Sequence, residues 1–208
     1  MKIAVMQPYF FPYVGYFELI KSVDVFVFLS NVQYIRRGWV NRNRIRSNNA
    51  DFQYLTIPIV KCPQQTLIKD VKVDYKEEWH KKHLLTLKHI YGKKIENSSI
   101  FNEYKEVNLS DNLNHLLQLM IIACCRHLGI KTIFNDSINF TDSLDATQRI
   151  LNICRSLRAT EYFNATNGRS LYSQDDFGSI KLNFMEPTKY DNKLSILDLC
   201  FGDNITSI

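Results

Sequence analysis

Met1-Lys2-Ile3-Ala4-Val5-Met6-Gln7-Pro8-Tyr9-Phe10-Phe11-Pro12-Tyr13-Val14-Gly15-Tyr16-Phe17, continued by Asp24-Val25-Phe26-Val27-Phe28-Leu29, is the stretch that decides the fold. Residues 2–6 form a short apolar run stopped by Gln7-Pro8, which is the pattern of a buried strand. Residues 15–22 read as a short helix with Phe17, Leu19 and Ile20 turned inward. Residues 24–29 are continuous, β-branched and aromatic, as in a second buried strand. A strand, a turn, a helix and a strand in this order make a βαβ unit. Such units build parallel sheets through right-handed crossovers. The expected fold is α/β, with a Rossmann-like, mainly parallel sheet, flanking helices and a helical subdomain.

Outward from that unit, residues 52–59 and 68–73 are expected strands. Pro58 belongs at a strand end or edge, because it cannot donate to a ladder. Residues 77–91 are an expected helix, with Trp79, His83, Leu84, Leu87 and Ile90 near a three-to-four spacing and Gly92 as its stop. Residues 111–128 are the longest expected helix, with Ser110 as N-cap and Gly129 as terminator. Residues 131–134 return to strand. A helix led in by Ser143 runs to Leu157, with Ile150, Leu151, Ile153 and Cys154 inward. A short strand at 161–163, a loop at 164–169 and a last strand at 180–184 complete the pattern. There are no internal repeats or low-complexity tracts. One domain over residues 1–208 is expected, with a mostly helical insertion or lid at about 77–128.

Composition narrows the function. The 208 residues are 45% hydrophobic and 23% charged, with a net charge of +5. That apolar content argues for a sizeable core and against disorder. No apolar run reaches bilayer length. The apolar stretch after Lys2 is broken by Gln7-Pro8, too early for a signal peptide. Five cysteines, at 62, 124, 125, 154 and 200, form no Cys-x-x-Cys pair and no disulfide framework, which fits a reduced, cytoplasmic setting. Basic residues cluster only at Arg36-Arg37 with Arg42, Arg44 and Arg46. This reads as a site for an anionic small-molecule ligand before a nucleic-acid surface. The sequence names no cofactor, no metal set and no oligomeric state.

Gln7 and the loop after it follow a strand and precede a helix. Ligands of open α/β sheets bind at the carboxyl ends of strands, where the strand order reverses. Gly15 at the helix start permits close approach of a ligand to the backbone. Tyr13, Tyr16 and Trp39 are candidates for a stacking wall, against the alternative of an aromatic plug at the sheet end. Asn31, Gln33, Arg36, Asn41, Arg42 and Asn43 add amides and guanidiniums that suit polar or anionic ligand groups. Arg37, Arg44 and Arg46 read as solvated basic residues. Thr166-Asn167-Gly168-Arg169-Ser170 is a turn in which Asn167 and Arg169 are candidate anion contacts. His83 is a candidate general base, against the alternative of a satisfied core histidine. Cys124-Cys125 reads as core packing, and Cys62 as an outside nucleophile candidate on a loop.

Two resemblances bear on these residues. Phe11-Pro12-x-x-Gly15-Tyr16 resembles the Phe-x-Pro-x-His-x-Gly-His loop of nucleotidylyltransferases, with Tyr13 and Tyr16 at the histidine positions. A tyrosine brings no positive charge at neutral pH, which argues against standard nucleotidyl transfer. More broadly, Gln7 to Phe17, Asp24 to Val27, Val32 to Ile45 and Leu55-Thr56-Ile57-Pro58 resemble the WbqC-like proteins. Trp79-x-x-x-His83, Asn167-Gly168-Arg169-Ser170-Leu171-Tyr172 and Leu194-Ser195-Ile196-Leu197-Asp198 extend the likeness along the chain. The departure is Ser30-Asn31, where that family often carries paired aspartates. The resemblance implies a bacterial cytoplasmic protein encoded among genes for O-antigen and other surface polysaccharides. It implies, as chemistry, transfer of an acyl or aminoacyl group to the amine of a nucleotide-linked sugar.

Overall fold

The computed structural model describes residues 1–107, 109–186 and 194–202. Its strands are β1 (Lys2–Met6), β2 (Val25–Phe28), β3 (Arg42–Ile45), β4 (Gln53–Thr56), β5 (Ile133–Asp136), β6 (Glu161–Ala165) and β7 (Lys181–Met185). Its helices are α1 (Val14–Lys21), α2 (Trp79–Tyr91), α3 (Ser99–Glu106), α4 (Leu113–His127), α5 (Ala146–Ser156), α6 (Gln174–Phe177) and α7 (Ile196–Phe201). The chain divides into two compact units. The first holds Met1–Gln7, Gly15–Val32 and the chain from Ile130 to residue 186. The second holds Pro8–Val14, Gln33–Gly129 and residues 194–202.

In the first unit five parallel strands lie in the order β5-β2-β1-β6-β7. The expected mainly parallel α/β sheet is what forms. β1 and β2 can be apolar without a break because both of their faces are covered. On one face Ile3, Val5, Val25 and Val27 share a core with Ile150, Leu151, Ile153 and Cys154 of α5. On the other, Tyr16 of α1 meets Phe26 edge-on at 5.4 Å, and Phe28 stacks on Phe134 at 5.5 Å. Followed along the chain, the strands step outward from β1 through β2 to β5, then return to the other side of β1. The order therefore reverses between β1 and β6.

The second unit contains an antiparallel hairpin of β3 and β4, with helices α2, α3, α4 and α7. β3 was not among the expected strands. Its inward positions are Asn43 and Ile45, and a buried asparagine does not read as strand interior. Residues 68–73 are not a strand. Ile68–Asp70 is a 3-10 turn, followed by single bridges at Lys72 and Val73. Ile68, Val71 and Val73 are all buried, but their three-then-two spacing satisfies a turn entering an extended segment. Two caps also differ from expectation. α4 is capped by Asn112, whose side chain accepts from the His115 N–H at 3.0 Å, and α5 by Asp145, which accepts from Gln148 N–H at 2.7 Å. Ser110 and Ser143 sit two residues earlier, accepting from the backbone N–H groups of Asn112 and Asp145.

Cys124 and Cys125 are buried on α4, and burial pushes the Cys125 thiol up to about 12, so both pack as core thiols. The loop Pro8–Val14 is fastened within the second unit by polar ties. Asn43 Nδ2 donates to the carbonyls of Phe10 (3.1 Å) and Phe11 (2.7 Å), and Ser195 Oγ donates to Phe11 O at 2.8 Å. These bonds hold Phe11 at φ 41°, a left-handed conformation that bulky residues avoid. Asp198 on α7 pairs with Arg46 at 2.7 Å and also accepts the Arg46 backbone N–H. Gly202 ends α7 beneath that pair. A Cβ there would lie 2.4 Å from the Asp198 carbonyl oxygen and 2.6 Å from an Arg46 guanidinium nitrogen. Gly202→Ala is expected to cost about 1–3 kcal/mol, typical of overpacking. A urea melt in which the midpoint is unchanged would refute this packing.

Candidate functional site

The carboxyl edge of the first unit's sheet gathers polar groups from four successive strands. Adjacent strands lie about 4.8 Å apart, so residues that end neighbouring strands stand side by side. Gln7 follows β1 directly. Its carbonyl accepts from the Tyr16 hydroxyl at 2.9 Å, and its side-chain amide makes no hydrogen bond among the described residues. Across the reversal, β6 runs into a 3-10 turn over Thr166–Ser170. Thr166 Oγ1 ties this turn to Met185 O of β7 at 3.0 Å. Asn164 Oδ1 accepts the Ala165 N–H at 2.8 Å, and a Cβ on Gly168 would lie 2.5 Å from Asn164 Nδ2. A side chain at 168 would have to displace the Asn164 amide. Asn167 and Arg169 are exposed on this turn, and Arg169 is 3.6 Å from Glu186 and over the Phe184 ring at 5.6 Å.

On the other side of β1, the end of β2 meets the end of β5. Ser30 is fully buried, and its hydroxyl bonds Asp136. Ser137 Oγ accepts the backbone N–H groups of Ser30 (3.0 Å) and Asn31 (3.3 Å). Asn31 is 5% exposed, and its side-chain oxygen is buried without a hydrogen-bond partner among the described residues. An acceptor in that state seeks a donor, because its desolvation is otherwise uncompensated. Burial alone would raise the Asp142 carboxyl. Hydrogen bonds from Arg149, the Ser143 N–H and the Asn31 side chain outweigh it, and the carboxyl is held below its ordinary range. Neither Ser30 nor Asn31 carries a carboxylate, and Asp136 brings one to Ser30 from β5.

The second unit places the other expected site residues. Asn41 is buried: its Oδ1 accepts from Tyr34 Oη at 2.7 Å and its Nδ2 donates to Ile57 O at 2.8 Å. Asn43 is likewise spent on the Pro8–Val14 loop. Both buried amides are engaged in bonds that build the unit. Gln33 and Arg36 are exposed and reach the carbonyls of Gln64 (2.9 Å) and Cys62 (2.5 Å). Arg42 bonds the carbonyls of Gly38 and Arg37, and its guanidinium lies 4.5 Å from the Tyr54 ring centre. Trp39 is exposed, and Tyr13 is half-buried.

His83 and Tyr16 also depart from expectation. His83 Nε2 lies 3.1 Å from Thr56 O, which can only accept, so Nε2 carries the proton. Nδ1 is then the acceptor for Tyr104 Oη at 2.8 Å. Burial lowers the His83 pKa to about 4, against the Thr56 bond that raises it. With both ring nitrogens engaged inside the protein, no lone pair is left for a substrate amine, and His83 acts here as a packing residue. Tyr16 is fully buried against Phe17 and Phe26, so it belongs to the core of the first unit and cannot stack on a ligand. Gly15 is buried in α1.

The match over residues 7–208 to the WbqC-like protein family spans both units. The chain belongs to the WbqC-like protein family. A relative of this WbqC-like chain, an uncharacterized protein of Mycobacterium tuberculosis, is 30% identical over 217 aligned positions. That alignment covers 97% of this chain and 93% of the relative. No solved structure matches the WbqC-like chain significantly. Among its described residues, no helix is long and apolar enough to cross a membrane, and no group of three or more His, Cys, Asp or Glu could hold a metal ion.

The sequence had not pointed to Asp136, Ser137, Asp142 or Asn164. Asp136, Ser137 and Asn164 gain their positions from parallel pairing between strands distant in the chain, which leaves no local pattern. Arg44, Phe52 and Tyr54 are different. The alternation of Arg42 with Arg44 and of Phe52 with Tyr54 carried a period-two signal for one face of a hairpin.

Proposed function

We propose that this protein binds a nucleotide-linked amino sugar at the carboxyl edge of its parallel sheet and transfers an acyl or aminoacyl group to the sugar amine. The observation that supports this reading most is the reversal of strand order between β1 and β6, with Gln7 on one side and the Asn164–Arg169 turn on the other. Doubly wound sheets bind nucleotides at that point. Arg169 and the turn's backbone suit phosphate oxygens. One strand further, the unpartnered oxygen of Asn31 and the ionised Asp142 are acceptors suited to an amine or hydroxyl. In the transfer, the amine nitrogen bonds the acyl carbon, the donor's leaving group departs, and the amine's proton leaves with that group or with a nearby carboxylate. Surface-polysaccharide synthesis is the context that the family resemblance implies for such a product.

A second reading is a sugar-nucleotide binder without turnover. It is favoured by His83, whose ring nitrogens are both occupied. Incubation with nucleotide-linked amino sugars, with and without acyl or aminoacyl donors, separates the two. Product detected by mass spectrometry supports the transferase. A rise in melting temperature without product supports the binder, and neither response across the panel refutes both. Gly168→Ala, which drives a methyl into the Asn164 amide, is expected to weaken such binding at least about tenfold. Binding unchanged in this variant would remove the Asn164–Arg169 turn from the site.

A further inference from the structure

We propose that the outward face of the β3–β4 hairpin is a second binding site, for a sugar ring that carries an oxyanion, either phosphate or carboxylate. The hairpin alternates strictly. Asn43, Ile45 and Leu55 turn inward and are buried, whereas Arg42, Arg44, Tyr54 and Thr56 turn outward. Arg44 pairs across with Tyr54, and Arg42 with Thr56. The Arg44 guanidinium is held between two rings, 4.7 Å from the centre of Trp39 and 4.8 Å from that of Phe52. Phe52 meets Tyr54 edge-on at 5.5 Å, and Arg42 lies over Tyr54. The result is a continuous row of alternating aromatic and guanidinium planes. Trp39, Phe52 and Tyr54 are 39%, 36% and 43% exposed, an unusual outlay of large rings to solvent.

Charge supplies the second argument. Arg46 is the next outward arginine in the series, and it has a carboxylate partner in Asp198 at 2.7 Å. Arg42 and Arg44 have none among the described residues. The Arg42 guanidinium bonds the carbonyl oxygens of Gly38 and Arg37. Among the described residues Arg44 has no side-chain hydrogen bond, and its Nε is buried without a partner. Asp51, in the loop that joins the two strands, forms no salt bridge among the described residues. A guanidinium locked in plane by two rings has already lost its rotational freedom, so an oxyanion that meets its fork orders little further. The carboxylate and phosphate groups match that fork in two-point geometry. The exposed ring surfaces beside it suit the C–H face of a pyranose. Single-stranded nucleic acid would compete for the same ring faces.

This site is independent of the one proposed on the parallel sheet, since the two share no residue. Tryptophan fluorescence offers a direct test, because Trp39 is exposed and Trp79 is 4% exposed. Glucose 1-phosphate and glucuronate are the probes, with glucose and inorganic phosphate as controls. Both sugar oxyanions are expected to change Trp39 emission in a salt-sensitive manner, inorganic phosphate more weakly, and glucose not at all. Arg44→Lys keeps the charge but loses the planar fork, and is expected to weaken binding about tenfold. Arg44→Gln is expected to abolish it, with the urea midpoint close to that of the parent. Probe binding that survives Arg44→Gln, or equal response to glucose and glucuronate, overturns the proposal. So does the absence of any response in the parent protein. A thymidine oligonucleotide that outcompetes both sugar probes would overturn the ligand class.

Discussion

Replacing Asn43 with alanine is expected to destabilise the protein by about 3 kcal/mol. The Asn43 side chain makes three hydrogen bonds, two buried and one partly buried. Its Nδ2 donates to the carbonyls of Phe10 and Phe11, and its Oδ1 accepts the Arg44 backbone N–H at 2.8 Å. Ser195 still serves Phe11 O in the variant, so the groups left unpaired are Phe10 O and the Arg44 N–H. The buried Phe10 carbonyl costs about 1–3 kcal/mol, and the partly buried Arg44 N–H costs less. For a chain of this length that corresponds to a fall in Tm of roughly 6–12 °C. Asn43→Asp is expected to do worse at neutral pH. It keeps the acceptor for Arg44 but sets a carboxylate against two carbonyl oxygens, and a buried unpaired charge is the costlier defect. Thermal melts of both variants check this. A fall of under about 2 °C in each would show that the Pro8–Val14 loop is held by other means.

The second large effect is a loss of stability on the acid side that traces to His83. Its folded pKa is about 4, below the ordinary 6.5, because burial disfavours the charged ring. Above pH 6.5 the ring is neutral whether the chain is folded or unfolded, and the native arrangement contributes in full. Between pH 6.5 and 4 the unfolded chain takes up a proton that the folded chain refuses, so stability falls as pH falls. At 1.36 kcal/mol per unit the loss approaches about 3 kcal/mol. The structural cause is the Nδ1 lone pair, which already accepts from Tyr104 Oη. Burial lowers the His80 pKa as well, so part of the slope comes from that ring. His83→Gln can still donate to Thr56 O and accept from Tyr104, but it does not titrate. Urea midpoints taken from pH 7.5 to 4.5 are expected to fall less steeply for His83→Gln than for the parent. Parallel slopes would place the acid sensitivity elsewhere. If transfer activity were found and fell with a pKa near 6.5 that His83→Gln removed, the packing role would give way to the base role.

The aromatic, proline-punctuated loop shows how far local pattern reaches. Tyr13 and Tyr16 are three residues apart and chemically alike, yet Tyr16 is fully buried in the first unit while Tyr13 is half-buried in the second. Likewise Asn31, Asn41 and Asn43 are all buried amides, but only Asn31 keeps an acceptor without a partner. Nothing in the sequence separates them. Whether a buried amide is structural or available depends on which backbone groups the fold brings to it. Arg44 shows the reverse: its sequence context reads as a solvated basic residue, yet it lies against two rings contributed by Trp39 and Phe52.

The sequence alone determined the parallel sheet, because a strand buried on both faces must be apolar throughout, and residues 2–6 and 24–29 carry that requirement locally. It also determined family membership, since the spacing of Gln7-Pro8, Asn41-Arg42-Asn43 and Asn167-Gly168-Arg169 is written in the chain. The tertiary structure alone decided which of these polar residues remain available to a ligand. Hydrogen-bond satisfaction is set by partners far apart in sequence: Asn43 by Phe10 and Phe11, His83 by Thr56 and Tyr104, Ser30 by Asp136. Periodicity registers which side of an element is buried. It carries no record of what a buried polar atom meets there.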